Sequence, residues 1–319
     1  MRRFRYRLGL GFLPALAGAM LLGACSWGGG IAPAGVDRSA TSDGLRRATS
    51  SGPAIYVADL AGDKITVYGT TGKLVRTITV GIDGPFGVTV DKAGKIFVAN
   101  TLPHTGGNVT TYTADGKQTT PTITDGIEFP LDVLVDKQGK IYVSNLTNYS
   151  SNGYVTTYKP DGTRTTPTIT AGIAGPVGLA TDAGGKIYVA NVFNNTVTTY
   201  NADGTQTTPT ISTGLDSPRG IAVDANGKIY VANCCGARHN TGYVATFMPD
   251  GTQTIPTISG FQFAQGVTVD TSGKIYVTSF QGPGNKGGFG SVTAYTADGK
   301  HTTPTIKKGI AEPALLTFH

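Results

Sequence analysis

At 319 residues the chain is long enough for one large or two medium domains. It holds 46 Gly and is only 14% charged, with much Thr, Val, Ile and Tyr, a strand-and-turn composition that argues against a helical protein. The formal charge of +6 is concentrated at the start: setting aside the seven Arg, Asp37 and Asp43 of residues 1–52 leaves 19 Lys+Arg against 18 Asp+Glu, so no basic stripe points to nucleic acid.

The first element in chain order is an export signal, residues 1–24. A basic start, Met1 to Arg7, precedes an apolar run from Leu8 to Leu22. That run contains Pro14 and several Gly and is short for a permanent membrane span. Its end, Leu22-Gly23-Ala24-Cys25, resembles the lipobox of bacterial lipoproteins. The resemblance implies cleavage before Cys25, acylation of its thiol by lipid such as palmitate, and a membrane anchor. The plainer alternative is an ordinary secretory signal with an incidental Cys. Ser26 stands where Asp would favour inner-membrane retention, which leans toward the outer membrane facing the periplasm. Residues 25–52 lack apolar periodicity and read as a flexible tether.

From residue 53 onward one unit recurs six times. Its Ile-Tyr-Val core starts at Ile55, Ile96 (with Phe97), Ile141, Ile187, Ile229 and Ile275, at intervals of 41 to 46 residues. A period of this size means stacked copies of one supersecondary unit. Residues 218 to 260 show its content. Pro218 to Asp224 is a short strand, Ala225-Asn226-Gly227-Lys228 a tight turn, and Ile229 to Ala232 a second strand. A variable loop, Asn233 to Gly242, leads to a third strand, Tyr243 to Phe247. Pro249-Asp250-Gly251-Thr252 turns into a fourth strand, Gln253 to Ser259. Four short strands between Asn-Gly and Asp-Gly turns form an antiparallel meander, one blade of a propeller.

Proline sets the radial order. Pro121, Pro167, Pro209, Pro256 and Pro304 lie in the fourth strands, and a residue without an N–H survives only at a sheet edge. The fourth strand is therefore the outer rim and the first lines the central channel. The first repeat lacks a first strand, and Glu312 to His319 aligns with Ser217 to Asp224. The C-terminus is thus expected to close blade 1. The prediction is an all-β, six-bladed, four-stranded propeller over residues 53–319, most simply a monomer.

The phrase Pro-Arg-Gly-Ile-Ala-Val-Asp-Ala-Asn-Gly-Lys-Ile-Tyr-Val-Ala-Asn, residues 218–233, resembles the NHL repeat. The resemblance covers residues 53–319 and implies the fold. It leaves function open, because that repeat hosts enzymes, ligand binders and scaffolds.

Both Gly-centred turns of a blade fall on one face, the lower. The upper face carries the variable loops, where binding residues concentrate. Tyr149, Arg238 and His239 lie in those loops. The residues before the inner-strand Gly are Phe86, Leu131, Val177, Arg219, Gln265 and Ala314, a ring expected at the upper channel mouth. Arg219 is its one charge, and Asp132 occupies a slot that is Gly in four other blades. One reading makes Arg219 an anchor for an anionic or carbonyl group, with Asp132 as acid, base or metal ligand. The other makes them a solvated pair that plugs the channel.

The second strands end in Asp59, Asn100, Asn145, Asn191, Asn233 and Ser279. These could offer oxygens to Ca²⁺, the one cofactor in view, or each could bond the backbone of its own loop. The series Tyr56, Phe97, Tyr142, Tyr188, Tyr230, Tyr276 reads as packing between blades. His104 and His239 lie in opposed loops and do not by themselves make a zinc set. Cys234 and Cys235 are adjacent in an oxidising compartment. A ring disulfide, a buried thiol pair and an intermolecular bridge are the alternatives.

The favoured function is a non-catalytic envelope lipoprotein whose upper face binds a protein, glycan or small ligand. The alternative is a hydrolase or lyase using a divalent metal at the channel mouth, similar to gluconolactonase-like calcium enzymes or to the NHL-repeat amidating lyase. The Pro-Asn-Gly that would place an Asn on calcium is absent: the slots read Pro-Phe-Gly, Pro-Leu-Asp, Pro-Val-Gly, Pro-Arg-Gly and Ala-Gln-Gly. The lyase's histidine set is absent too. A quinone-cofactor dehydrogenase would bring Trp-rich repeats, and the one Trp is Trp27 in the tether.

Overall fold

The computed structural model describes residues 52–101, 107–147, 152–234, 241–280 and 290–319. The signal segment, Cys25 and nearly all of the tether lie outside these. The described strands form six four-stranded antiparallel sheets, one per blade. Blade 5 shows the pattern, with strands Pro218–Val223, Ile229–Asn233, Gly242–Phe247 and Gln253–Phe261 from axis to rim.

The lower turns explain the repeated Asp-x-x-Gly-Lys. Gly227 has φ 79°, a conformation that L side chains resist. Asp224 Oδ1 accepts from the N–H of Asn226 and of Lys228, at 2.8 and 2.9 Å. The Lys228 ammonium lies 5.6 Å from the Tyr230 ring centre, within cation–π range. Asp136, Lys140 and Tyr142 repeat the device in blade 3. The conserved-looking phrase is thus turn chemistry joined to core packing.

The Tyr and Phe of the second strands are buried between sheets as their alternation requires. Phe97, for example, shares a cluster with Val133 and Ile141 of the next blade. Third-strand tyrosines tie blades at the upper face. Tyr112, Tyr158 and Tyr200 donate to the carbonyls of Val80, Asp125 and Ala171 in the connecting segments, at 2.8, 2.7 and 2.6 Å. The prolines lie on the outermost strands as expected.

The C-terminal strand Pro313–Phe318 is the inner strand of blade 1 and pairs with Ala54–Asp59, placing Ile55 opposite Phe318 and Val57 opposite Leu316. Ala54 N donates to His319 O at 2.7 Å, and His319 N returns to Ala54 O at 3.0 Å. The chain therefore enters the propeller on the lower face, beside its own C-terminus.

Candidate functional site: the central channel

The inner strands descend from the upper to the lower face. At their upper ends the expected ring is present, but it is not an open mouth. Phe86, Arg219 and Gln265 are 3%, 1% and 5% exposed. The cause lies one residue below, at the Gly slot. A Cβ on Gly178 would stand 2.2 Å from Arg219 O, and one on Gly220 would stand 2.6 Å from Gly266 Cα. The backbones of neighbouring inner strands touch at these two positions, so neither has room for a side chain. This waist closes the channel. It also overturns the picture of a solvated Arg219–Asp132 plug, because both residues are buried.

Asp132 fills the one polar slot of the waist. Its Oδ1 accepts from Val133 N at 2.9 Å and its Oδ2 from Leu179 N of blade 4 at 2.8 Å. The space is made by Gly87, whose Cβ position lies 2.5 Å from Asp132 Oδ1. Ser144 supports the same joint: its Oγ accepts from Asp132 N and donates to Val177 O, at 2.9 and 2.7 Å. Burial raises the Asp132 carboxyl from 3.8 to about 8, against the smaller opposing effect of the two N–H bonds. The group is thus a bridge between blades 3 and 4, its carboxyl held by burial well above the usual carboxylate range.

Across the axis, Gln265 Nε2 donates to Cys234 Sγ at 3.7 Å. Gln265 Oε1 is buried with no hydrogen-bond partner among the described residues. Burial pushes the Cys234 thiol up, partly offset by the Arg219 guanidinium. Arg219, Gln265 and Cys234 thus form a buried polar cluster beneath the upper face. The sequence showed these residues singly but gave no sign that Cys234 joins the ring. Cys235, and with it the expected disulfide, lies outside the described residues. So do His104, Tyr149, Arg238 and His239.

Five of the six polar residues ending the second strands serve the fold, chiefly through other segments. Asn100, Asn145, Asn191 and Asn233 reach back to the segment that leads into their blade, and Asp59 reaches the segment that closes its blade. The Oδ1 atoms of Asn100, Asn145, Asn191 and Asn233 accept from the N–H of Asp83, Glu128, Ala174 and Asp216, at 3.2, 3.2, 3.1 and 2.8 Å. Asp59 accepts from Ala311 N and Glu312 N and pairs with Lys64 at 3.3 Å. These links fix the blade-to-blade connections. Among the described residues, no group of three or more His, Cys, Asp or Glu is placed to hold a metal ion.

Below the waist the channel widens into a cavity of about 170 Å³, lined by all six inner strands. Its middle ring is Thr89, Leu134, Ala180, Ala222, Thr268 and Thr317. Small residues at one repeat position were the available signal that this level is hollow.

A family model described as the SMP-30/gluconolactonase/LRE-like region matches residues 125–259, which span blades 3 to 5. A comparison with curated proteins finds no match. Among solved structures, a chain of a nidogen/laminin complex is 17% identical, with TM-score 0.65 over 84% of this chain and 98% of that one. A streptogramin B lyase is 14% identical, with TM-score 0.60 over 84% of each chain. A gluconolactonase from Xanthomonas campestris is 20% identical, with TM-score 0.55 over 72% of this chain and 82% of that one. At these identities the likeness is one of fold, and the chain is a six-bladed propeller whose blades 3 to 5 carry gluconolactonase-like sequence features.

Proposed function

We propose that this chain is an exported, lipid-anchored propeller that binds a protein, glycan or small ligand at its upper face, without a metal and without turnover. The observation that carries this reading is the use of the upper oxygens. The side-chain oxygens of Asp59, Asn100, Asn145, Asn191 and Asn233 each accept main-chain N–H groups. Both Asp132 oxygens do the same. Taking any of them for a cation would strand a buried N–H, at a cost of about 1–3 kcal/mol each. The buried Gln265 Oε1, by contrast, is an acceptor still to be met. The nidogen/laminin neighbour supports the idea that such a fold suits protein partners.

Ala54 lies beside His319 on the lower face, so an anchor at Cys25 would join the propeller from that side.

The second reading is a metal-dependent hydrolase or lyase. It draws on the gluconolactonase-like match, the lyase neighbour and the raised Asp132 carboxyl. The binding face is tested by placing a photo-crosslinking residue at Tyr149 or His239, against controls at Lys92 and Lys228. Irradiated envelopes should yield a discrete adduct from the upper positions alone. Adducts from the lower positions only would refute the assignment.

A further inference from the structure

The lower channel is separate from the upper face, because the waist lies between them. Each inner strand passes from buried at Val88, Val133, Leu179, Ile221, Val267 and Leu316 to partly exposed at its lower end. The cavity therefore opens downward. At roughly 30 Å³ per water, its 170 Å³ is the space of five or six waters. Sites for drug-sized ligands run to about 300–1,000 Å³, so any organic occupant is small.

The wall carries main-chain donors and acceptors. Val133 and Leu179 face Val143 and Val189 of their partner strands, yet their N–H groups go to Asp132. They occupy the positions of an antiparallel ladder whose N–H and C=O point away from the partner strand, here toward the axis. Val88, Ile221, Val267 and Leu316 hold the same register, opposite Val98, Val231, Val277 and Val57. Their N–H and C=O groups point the same way. Asp132 uses two of these six N–H groups. One step lower, the hydroxyls of Thr89, Thr268 and Thr317 make no hydrogen bond to the described residues. Leu134, Ala180 and Ala222 complete that ring with apolar surface. Neither Lys nor Arg is among the lining residues, so no cation there would hold an anion.

We propose that the lower channel is a binding site for a small uncharged polyol, between glycerol and a pentose in size. Donors and acceptors on the wall suit hydroxyl groups, and the Leu134–Ala180–Ala222 side suits C–H faces. The inference is independent of the upper-face reading, and either can fail alone.

The test is ligand-observed saturation-transfer NMR on the full chain in detergent, with glycerol, erythritol and ribose as probes. Ala222→Leu fills the cavity. Thr89→Val with Thr268→Val removes two hydroxyls at nearly constant shape. Transfer to at least one probe is expected, lost in Ala222→Leu and weakened about tenfold or more in the paired Thr variant. If Ala222→Leu does not fold, the Thr pair alone decides. No transfer to any probe, meaning water only, overturns the proposal. So does transfer that Ala222→Leu, or the Thr pair, leaves unchanged.

Discussion

Deleting residues 313–319 removes the inner strand of blade 1 and should cost most of the stability of the ring. Leu315 and Leu316 are 4% and 7% exposed. At about 1.5–3 kcal/mol for each fully buried side chain, their loss amounts to about 3–6 kcal/mol. Phe318 is partly buried and stacks on Tyr276 with ring centres 5.9 Å apart, which adds about 1 kcal/mol. Domains have about 5–15 kcal/mol in all. The deletion also bares Ala54–Asp59, a strand buried along its whole length, and an apolar unpaired edge invites aggregation. Thermal unfolding followed by far-UV circular dichroism should show the truncated chain melting more than about 10 °C below the parent, or aggregating first. A cooperative transition within about 3 °C of the parent would refute closure by this strand.

Gly178→Ala should destabilise by about 1–3 kcal/mol or more, because its Cβ meets backbone at 2.2 Å. Gly69→Ala, whose Cβ meets nothing closer than 4.0 Å, should change urea stability by less than about 0.5 kcal/mol. Asp132 makes stability pH-dependent. Its folded pKa of about 8 lies above the ordinary carboxyl value of 3.8, so the folded state holds the extra proton between these values and loses that advantage as pH rises. From pH 5 to 8 the parent should lose up to about 4 kcal/mol relative to Asp132→Asn, which does not titrate; parallel pH profiles would contradict this. Cys25→Ser should release the protein from the membrane fraction, as the lipobox resemblance implies. Unchanged membrane association would remove the lipid anchor from the account.

The architecture was legible because the repeat states it six times over. The fourth-strand prolines gave the rim, and the alignment of Glu312 to His319 with Ser217 to Asp224 gave the closure. The channel was less legible. Its upper ring was expected at an open mouth and is buried, because burial depends on how closely six backbones approach, a distance that no single repeat encodes. The inner-strand Gly served in the sequence only to locate the ring, and at Gly178 and Gly220 it is a steric requirement between blades. For the Asn at the strand ends the sequence left two readings, oxygens for Ca²⁺ or bonds within their own loops. Their partners lie 17 residues earlier in the chain, across a connection whose path only the fold supplies. Asp132 stood out as an exception to Gly, but its bridge to Leu179 joins two blades and could not be read from one.

The central claim is that the oxygens of Asp59, Asn100, Asn145, Asn191, Asn233 and Asp132 bind main chain rather than a metal. Its most direct test is isothermal titration of Ca²⁺ and Zn²⁺ into chelator-stripped protein, with lactone hydrolysis followed in the same samples. The account predicts no stoichiometric heat, a melting temperature indifferent to metal, and no turnover. One equivalent of either ion bound with a dissociation constant below about 10 μM would stabilise the fold by about 2.7 kcal/mol at a hundredfold excess over that constant. That result, with metal-dependent lactone hydrolysis, would contradict the account and establish the enzyme reading.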